Sequence, residues 1–154
     1  MMAPRAPTQL DVSRGERFRW PLVHSALRAG QTTSLVVRGR CMWPSLRPGD
    51  RLEVRALEAG EPRVGDVVVC AHGARALAHR VIALSADASG TVLVTCRGDA
   101  TPRSDAPVPA ADLIGIVTSV ERRGVPVRLT DRAAWASRLL ARLRPALWRW
   151  HQGH

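Results

Sequence analysis

The sequence predicts a mainly β protein: a curled, barrel-like β domain with a short helix before it and an amphipathic helix after it. Three observations carry this. Short apolar, β-branched runs recur at regular spacing through the middle of the chain. Glycine, proline and aspartate turn signals separate them. Only the two flanks show a helical period.

Residues 1–19 are polar with prolines at 4 and 7, and read as a flexible lead-in. Residues 20–30, WPLVHSALRAG, read as a short helix, with Pro21 in its first turn and Gly30 as its C-terminal cap. Strands are expected over 33–39, 51–57, 65–71, 74–84, 91–98, 112–122 and 124–129. The run 74–84 is long enough to require a bend or bulge, and the last two strands should pair through an Arg-Gly turn. Between 98 and 111 lies GDATPRSDAPVPAA, a proline-rich loop of the length that compact domains keep for function. The β domain therefore spans 20–129. Residues 130–154 open on a Thr130/Asp131 cap and continue as a basic helix with Trp135, Leu139, Leu143 and Leu147 on one line, kinked at Pro145. Such a helix packs its stripe on the β domain or a partner, or else lies on an anionic membrane surface through residues 130–150.

At 154 residues the chain supports one core. Its 23 cations are all arginine and exceed 13 acids, for a net charge of +10. With no lysine, no mechanism that needs a lysine base can run. One phenylalanine and no tyrosine leave few stacking platforms, which argues against a nucleic-acid partner. The three cysteines, Cys41, Cys70 and Cys96, are widely spaced and form no CxxC pair. They read as reduced thiols with no metal site, and no cofactor motif is present. Cys70 and Cys96 lie in apolar runs and read as core. The opening residues contain no apolar run of signal-peptide or membrane-anchor type, so a cytoplasmic chain without a transmembrane segment is expected, with the inner membrane face as a second location.

The chemistry gathers at GRCMWPSLRPGD, residues 39–50. Gly39 ends a strand and Pro44 stiffens the turn that follows, so Cys41 stands on a constrained corner. Such a corner presents a nucleophile and backbone N–H donors to one reacting atom. Met42, Trp43 and Pro44 would wall a substrate site. The plain alternative is a small buried cysteine.

The run Gly39-x-Cys41-Met42-x-Pro44, then Leu46-x-x-Gly49-Asp50, resembles the catalytic signature of type I signal peptidases and of the self-cleaving repressors related to them. Further blocks follow in the family's order: Gly65-Asp66 with Val67–Val69; His79-Arg80-Val81; Arg97-Gly98-Asp99 with Asp105 after it; and Leu113-Ile114-Gly115-Ile116-Val117. The resemblance covers roughly residues 31–120. It is closest to the eukaryotic and archaeal-type signal peptidases, whose base is histidine in a His-Arg-Val setting. The chain departs from the family in two respects: cysteine stands in place of the nucleophilic serine, and no transmembrane helix precedes the domain.

The resemblance implies a peptidase fold of the signal-peptidase type. Cys41 would be the nucleophile and His79 the general base. Asp105 would orient the imidazole, with Asp99 as the alternative orienter or as a loop-holding residue. A thiol can replace the hydroxyl because an imidazole partner readily sustains a thiolate. The substrate would be an extended segment of a precursor protein or leader peptide. Two other readings remain: an inactive relative that binds a peptide in the same groove, and a self-cleaving regulator, for which too few residues precede the first strand. Ser45 reads as a turn former. His24, His72, His151 and His154 are weaker candidates: His24 reads as a surface or packing residue of the first helix, His72 as part of a hairpin turn, and the last two as part of the tail.

Overall fold

The computed structural model of the chain describes residues 20–72 and 75–129. The segment expected to be flexible over 1–19 and the basic helix expected over 130–154 lie outside the described residues.

Helix α1 (Trp20–Arg28) ends in a Schellman arrangement. Gly30 adopts φ 81°, its N–H reaches the Leu27 carbonyl at 2.9 Å, and the Gln31 N–H reaches Ala26 at 3.1 Å. Then come β1 (Thr33–Val36), β2 (Arg51–Arg55), β3 (Val67–His72), β4 (Arg75–Ala86), β5 (Val92–Arg97) and β6 (Val108–Pro109). A 3₁₀ turn (Ala110–Asp112) leads to β7 (Leu113–Arg122) and β8 (Val125–Val127). All eight strands join one antiparallel sheet in the order β1-β2-β7-β3-β4-β5-β6, with β8 also on β7. The mainly β expectation holds. The sheet is not a closed barrel, because its outer strands β1 and β6 do not pair with each other.

Each expected strand run has a counterpart, with shorter bounds where backbone groups leave the ladder. The run 33–39 pairs only to Val36. Beyond it, the Val37 N–H donates to Asp50 and its carbonyl accepts from Gly49, which holds the 37–50 excursion closed at its base. The expected bulge in β4 falls between Val81 and Ala83 against β5. The β7–β8 hairpin turns at Arg123 (φ 52°) and Gly124 (φ 80°), the two positive φ values of a two-residue hairpin loop. Strand β6 and the 3₁₀ turn lie within the stretch expected to be a loop. Val108 and Pro109 are too short a run to stand out in sequence, and proline is tolerated there because β6 is an edge strand.

The core has two faces. On one side Val23 and Leu27 of α1 meet Leu35, Met42, Leu46, Leu52, Val54, Val67, Val69, Ile114 and Val120. On the other, Val68, Val81, Val94, Cys96, Leu113 and Ile116 pack together. Strand β3 is buried on both faces, which explains its unbroken Val67-Val68-Val69 run. Leu113 and Ile116 share a face despite an odd spacing because the β3–β7 register slips between Val69 and Cys70.

Gly115 lies where α1 crosses the sheet. A Cβ there would stand 2.5 Å from the Arg55 carbonyl oxygen, 2.7 Å from Val54 Cγ1 and 3.2 Å from Leu27 Cδ1. Two of these three neighbours are fixed parts of β2, so the glycine lets helix and strand approach. Gly115→Ala is therefore expected to destabilise the fold by about 1–3 kcal/mol through overpacking. Urea unfolding should show this as a lower midpoint with an unchanged slope.

Candidate active site

Two Gly-Asp turns frame the site, and they use the same device. In Arg47–Asp50 and Arg63–Asp66 the aspartate carboxylate accepts the N–H three residues earlier, at 2.8 Å and 2.7 Å. The aspartate N–H returns to that residue's carbonyl, and the glycine between has φ 93° or 104°. Asp50 is fully buried, and Arg122 at the end of β7 clasps it through Nε at 2.8 Å and Nη2 at 2.7 Å. The second arginine nitrogen also reaches the Ser45 carbonyl at 3.3 Å. Burial opposes the Asp50 charge, but the Arg122 pair and the Arg47 N–H outweigh it and lower its pKa.

Between Gly39 and Asp50 the chain makes a tight helical turn. The Trp43 N–H reaches the Arg40 carbonyl at 3.1 Å, and the Leu46 N–H reaches Met42 at 2.9 Å. Cys41 is half-buried in this turn. The loop after β5 clamps it from the other side: Ala100 N–H donates to the Cys41 carbonyl at 2.7 Å. Gly98 makes this possible, because a Cβ at that position would stand 2.6 Å from the Cys41 oxygen.

The loop is anchored by a buried ion pair. Arg80 is 2% exposed and forks onto Asp99, with Nε–Oδ1 at 2.9 Å and Nη2–Oδ2 at 2.8 Å, while Nη1 donates to the Gly65 carbonyl at 2.7 Å. Ser45 Oγ donates to Asp99 Oδ2 at 2.5 Å, and the Asp99 N–H points at Met42 Sδ, 3.4 Å away. Asp99 thus belongs to the scaffold and not to the imidazole. A buried guanidinium needs a carboxylate, and Asp99 satisfies that need. Its reading as the alternative orienter of His79 is corrected accordingly.

His79 precedes Arg80 on β4 and therefore faces the opposite side of the sheet. It is 6% exposed. Its Nδ1 lies 2.5 Å from Asp105 Oδ2, and the Asp105 N–H is held by the Cys96 carbonyl at 2.8 Å. Nε2 is buried without a completed hydrogen bond. Cys41 is among the groups that raise the proton affinity of the imidazole, but no hydrogen bond from it to Nε2 is completed. Burial pulls the His79 pKa down. Cys41 and Asp105 together outweigh it and raise the value from 6.5 to about 9.

Of the residues expected at the site, Cys41, His79 and Asp105 come together. Met42 does not face a substrate: it is fully buried in the core, because its side chain fills the space beneath the turn. Trp43 is half-exposed beside Cys41, and Pro44 is partly buried. The structural parts of Arg80 and Ser45 were missed. An arginine inside the apolar run ALAHRVIAL was the available signal, since such a residue requires an acid partner. Among the described residues no group of side chains could hold a metal ion. An open hollow of about 460 Å³ between β7, β8 and the Gly65 turn contains none of Cys41, His79 or Asp105.

In comparison with known proteins, the chain matches no protein-family model and gives no significant match to a curated protein.

His79 also sets a pH dependence. A folded pKa above the unfolded value stabilises the protein fully below pH 6.5, and that stability is lost as pH rises through 9. With Asp105 half-exposed and its charge screened by solvent, a loss of about 2 kcal/mol is expected. Denaturation curves from pH 6 to 10 should show the loss, and Asp105→Asn should flatten it.

Proposed function

We propose that this chain is an endopeptidase of the signal-peptidase type that cleaves an extended segment of a precursor protein or leader peptide. One observation carries the reading: a buried imidazole has one nitrogen on a carboxylate and the other unpartnered, and a half-buried cysteine helps raise its pKa. Buried, unpartnered imidazole nitrogens are costly, and a role in chemistry at the neighbouring cysteine is the simplest reason to keep one.

In this reading the Cys41 proton has already passed to His79 Nε2, whose pKa of about 9 keeps it there at neutral pH, and Cys41 Sγ attacks the scissile carbonyl. Asp105 holds the ring and stabilises the cation. His79 then protonates the leaving amine, and a thioester remains on Cys41. Water, deprotonated by the same nitrogen, releases the acyl group. The backbone N–H groups of the Cys41 turn are the donors assigned to the oxyanion. Trp43 and Pro44 border the position of the substrate, which we expect to bind as an added strand with small side chains next to the cut. The order of the motif blocks around Gly49-Asp50, Gly65-Asp66, His79-Arg80 and Gly98-Asp99 supports the signal-peptidase likeness. Each block also has a physical task in the fold.

No helix among the described residues is long and apolar enough to cross a membrane. We assign the enzyme to the cytoplasm, with contact to an anionic membrane face through residues 130–150 as an added proposal.

The absence of a completed Cys41–His79 hydrogen bond favours a second reading, a peptide-binding module with a spent site. Cleavage decides between them. Under reducing conditions the purified chain should cut members of a peptide library rich in alanine and glycine, through an acyl-enzyme seen by mass spectrometry on Cys41. Cys41→Ala should lower the rate by at least about a thousandfold. Peptide binding without any cleavage would establish the second reading.

A further inference from the structure

Two rims meet at Cys41. One is the turn between Gly39 and Asp50, and the other is the loop after β5. The hydrogen bond from the Ala100 N–H to the Cys41 carbonyl, at 2.7 Å, ties them together. Arg40 and Arg47 stand on the first rim and Arg103 on the second, and all three are exposed. Arg40 is the chain neighbour of Cys41, so their Cα atoms are about 3.8 Å apart. Arg103 is confined from both sides: Ala100 before it is pinned to Cys41, and Asp105 after it is pinned to His79. Two or three residues of chain hold it within about 10 Å of each anchor.

The acids of the two rims are already engaged. Asp50 is clasped by Arg122, Asp99 by Arg80, and Asp105 by His79. Arg40, Arg47 and Arg103 form no ion pair among the described residues. Asp87, Asp112 and Glu121 form none either, but they belong to the β4–β5 turn, the 3₁₀ turn and β7. A thiolate at Cys41 leaves the Cys41–His79–Asp105 group with one negative charge in excess, and three guanidiniums outnumber it. The entrance to the thiol is therefore short of anions.

We propose that this entrance selects acidic peptide segments, with Arg40 and Arg103 receiving Asp or Glu carboxylates from opposite rims. An extended peptide advances about 3.4 Å per residue, so the acids would lie within about three residues of the bond to be cut. The cut itself rests on the peptidase reading above; the preference for acidic peptides does not. A guanidinium presents a fork of donors that matches a carboxylate. Because these guanidiniums are exposed, each contributes little alone and salt screens it, so their joint effect is mainly on encounter. An anionic membrane is the other surface that such cations could meet. A peptide fits better, because the cations stand on both rims of one thiol and a strand laid across that thiol passes between them.

The test compares a fluorescent alanine-rich peptide carrying glutamates with its glutamine twin, at low and high salt. Binding is read by anisotropy with full-length Cys41→Ala, and cleavage with the wild type. At low salt the acidic twin should bind and be cut about tenfold better, and the gap should close at high salt. Arg40→Gln and Arg103→Gln should each cut that preference about threefold and leave the glutamine twin unaffected, while Arg103→Lys keeps most of it. Arg28→Gln removes the same charge from the end of α1, which packs on the sheet face opposite to His79, and should leave the preference intact. Equal handling of the twins overturns the proposal, and so does binding of neither. A loss in Arg28→Gln as large as in the rim variants overturns it too, as does binding to phosphatidylserine vesicles through Arg40 and Arg103 with no preference between the peptides. If the acidic twin is held preferentially but never cut, the peptidase reading fails by itself and the rims stand as an acidic-peptide site.

Discussion

The buried pair of Arg80 and Asp99 is the constraint on which the rest of the site depends. An arginine with 2% exposure has given up nearly all of its water. Its cost is offset only because Nε and Nη2 fork onto one carboxylate and Nη1 meets the Gly65 carbonyl. Those contacts reach three separate segments. The guanidinium comes from β4, its acid from the loop after β5, and the carbonyl from the turn before β3. Through the Ser45 hydroxyl the same carboxylate also reaches the turn that carries Cys41. Removing either charge would leave the other buried and unmatched, and the Cys41 turn would lose its support.

Alternation along β4 converts this anchor into chemistry. Arg80 and His79 are neighbours in sequence, so they point to opposite faces of the sheet. One holds the loop that carries Asp99 and Asp105, and the other receives Asp105 on Nδ1. The two aspartates of a single loop are thereby sorted: the buried one neutralises arginine, and the half-exposed one orients imidazole. Gly98 completes the arrangement, since its lack of a side chain lets the loop lie against the Cys41 carbonyl.

Much of this was legible in the sequence. Strands announced themselves by β-branched runs between Gly-Asp and Arg-Gly turns, because those turns need positive φ or an aspartate that caps its own backbone. The helix at 20–28 was legible from Pro21 and Gly30. The grouping of Cys41, His79 and Asp105 followed from the order of the motif blocks, and no periodicity contains it. What stayed hidden depends on contacts distant in sequence. That Met42 would be core and not substrate wall requires knowing what lies beneath the turn. That Asp99 would be claimed by Arg80 requires knowing that position 80 faces inward with nothing else to neutralise it. That the sheet stays open between β1 and β6 is likewise a matter of curvature, which strand counting does not supply.

The most direct measurement is the rate at which Cys41 is alkylated by iodoacetamide at neutral pH, followed by mass spectrometry of the Cys41 peptide. It is compared among the wild type, His79→Ala and Asp99→Asn, each checked for folding by circular dichroism. The account predicts that the wild type reacts about tenfold or more faster than both variants, because the imidazole activates the sulfur and the buried pair keeps them together. A folded Asp99→Asn or His79→Ala protein whose Cys41 reacts as fast as the wild type's would contradict it.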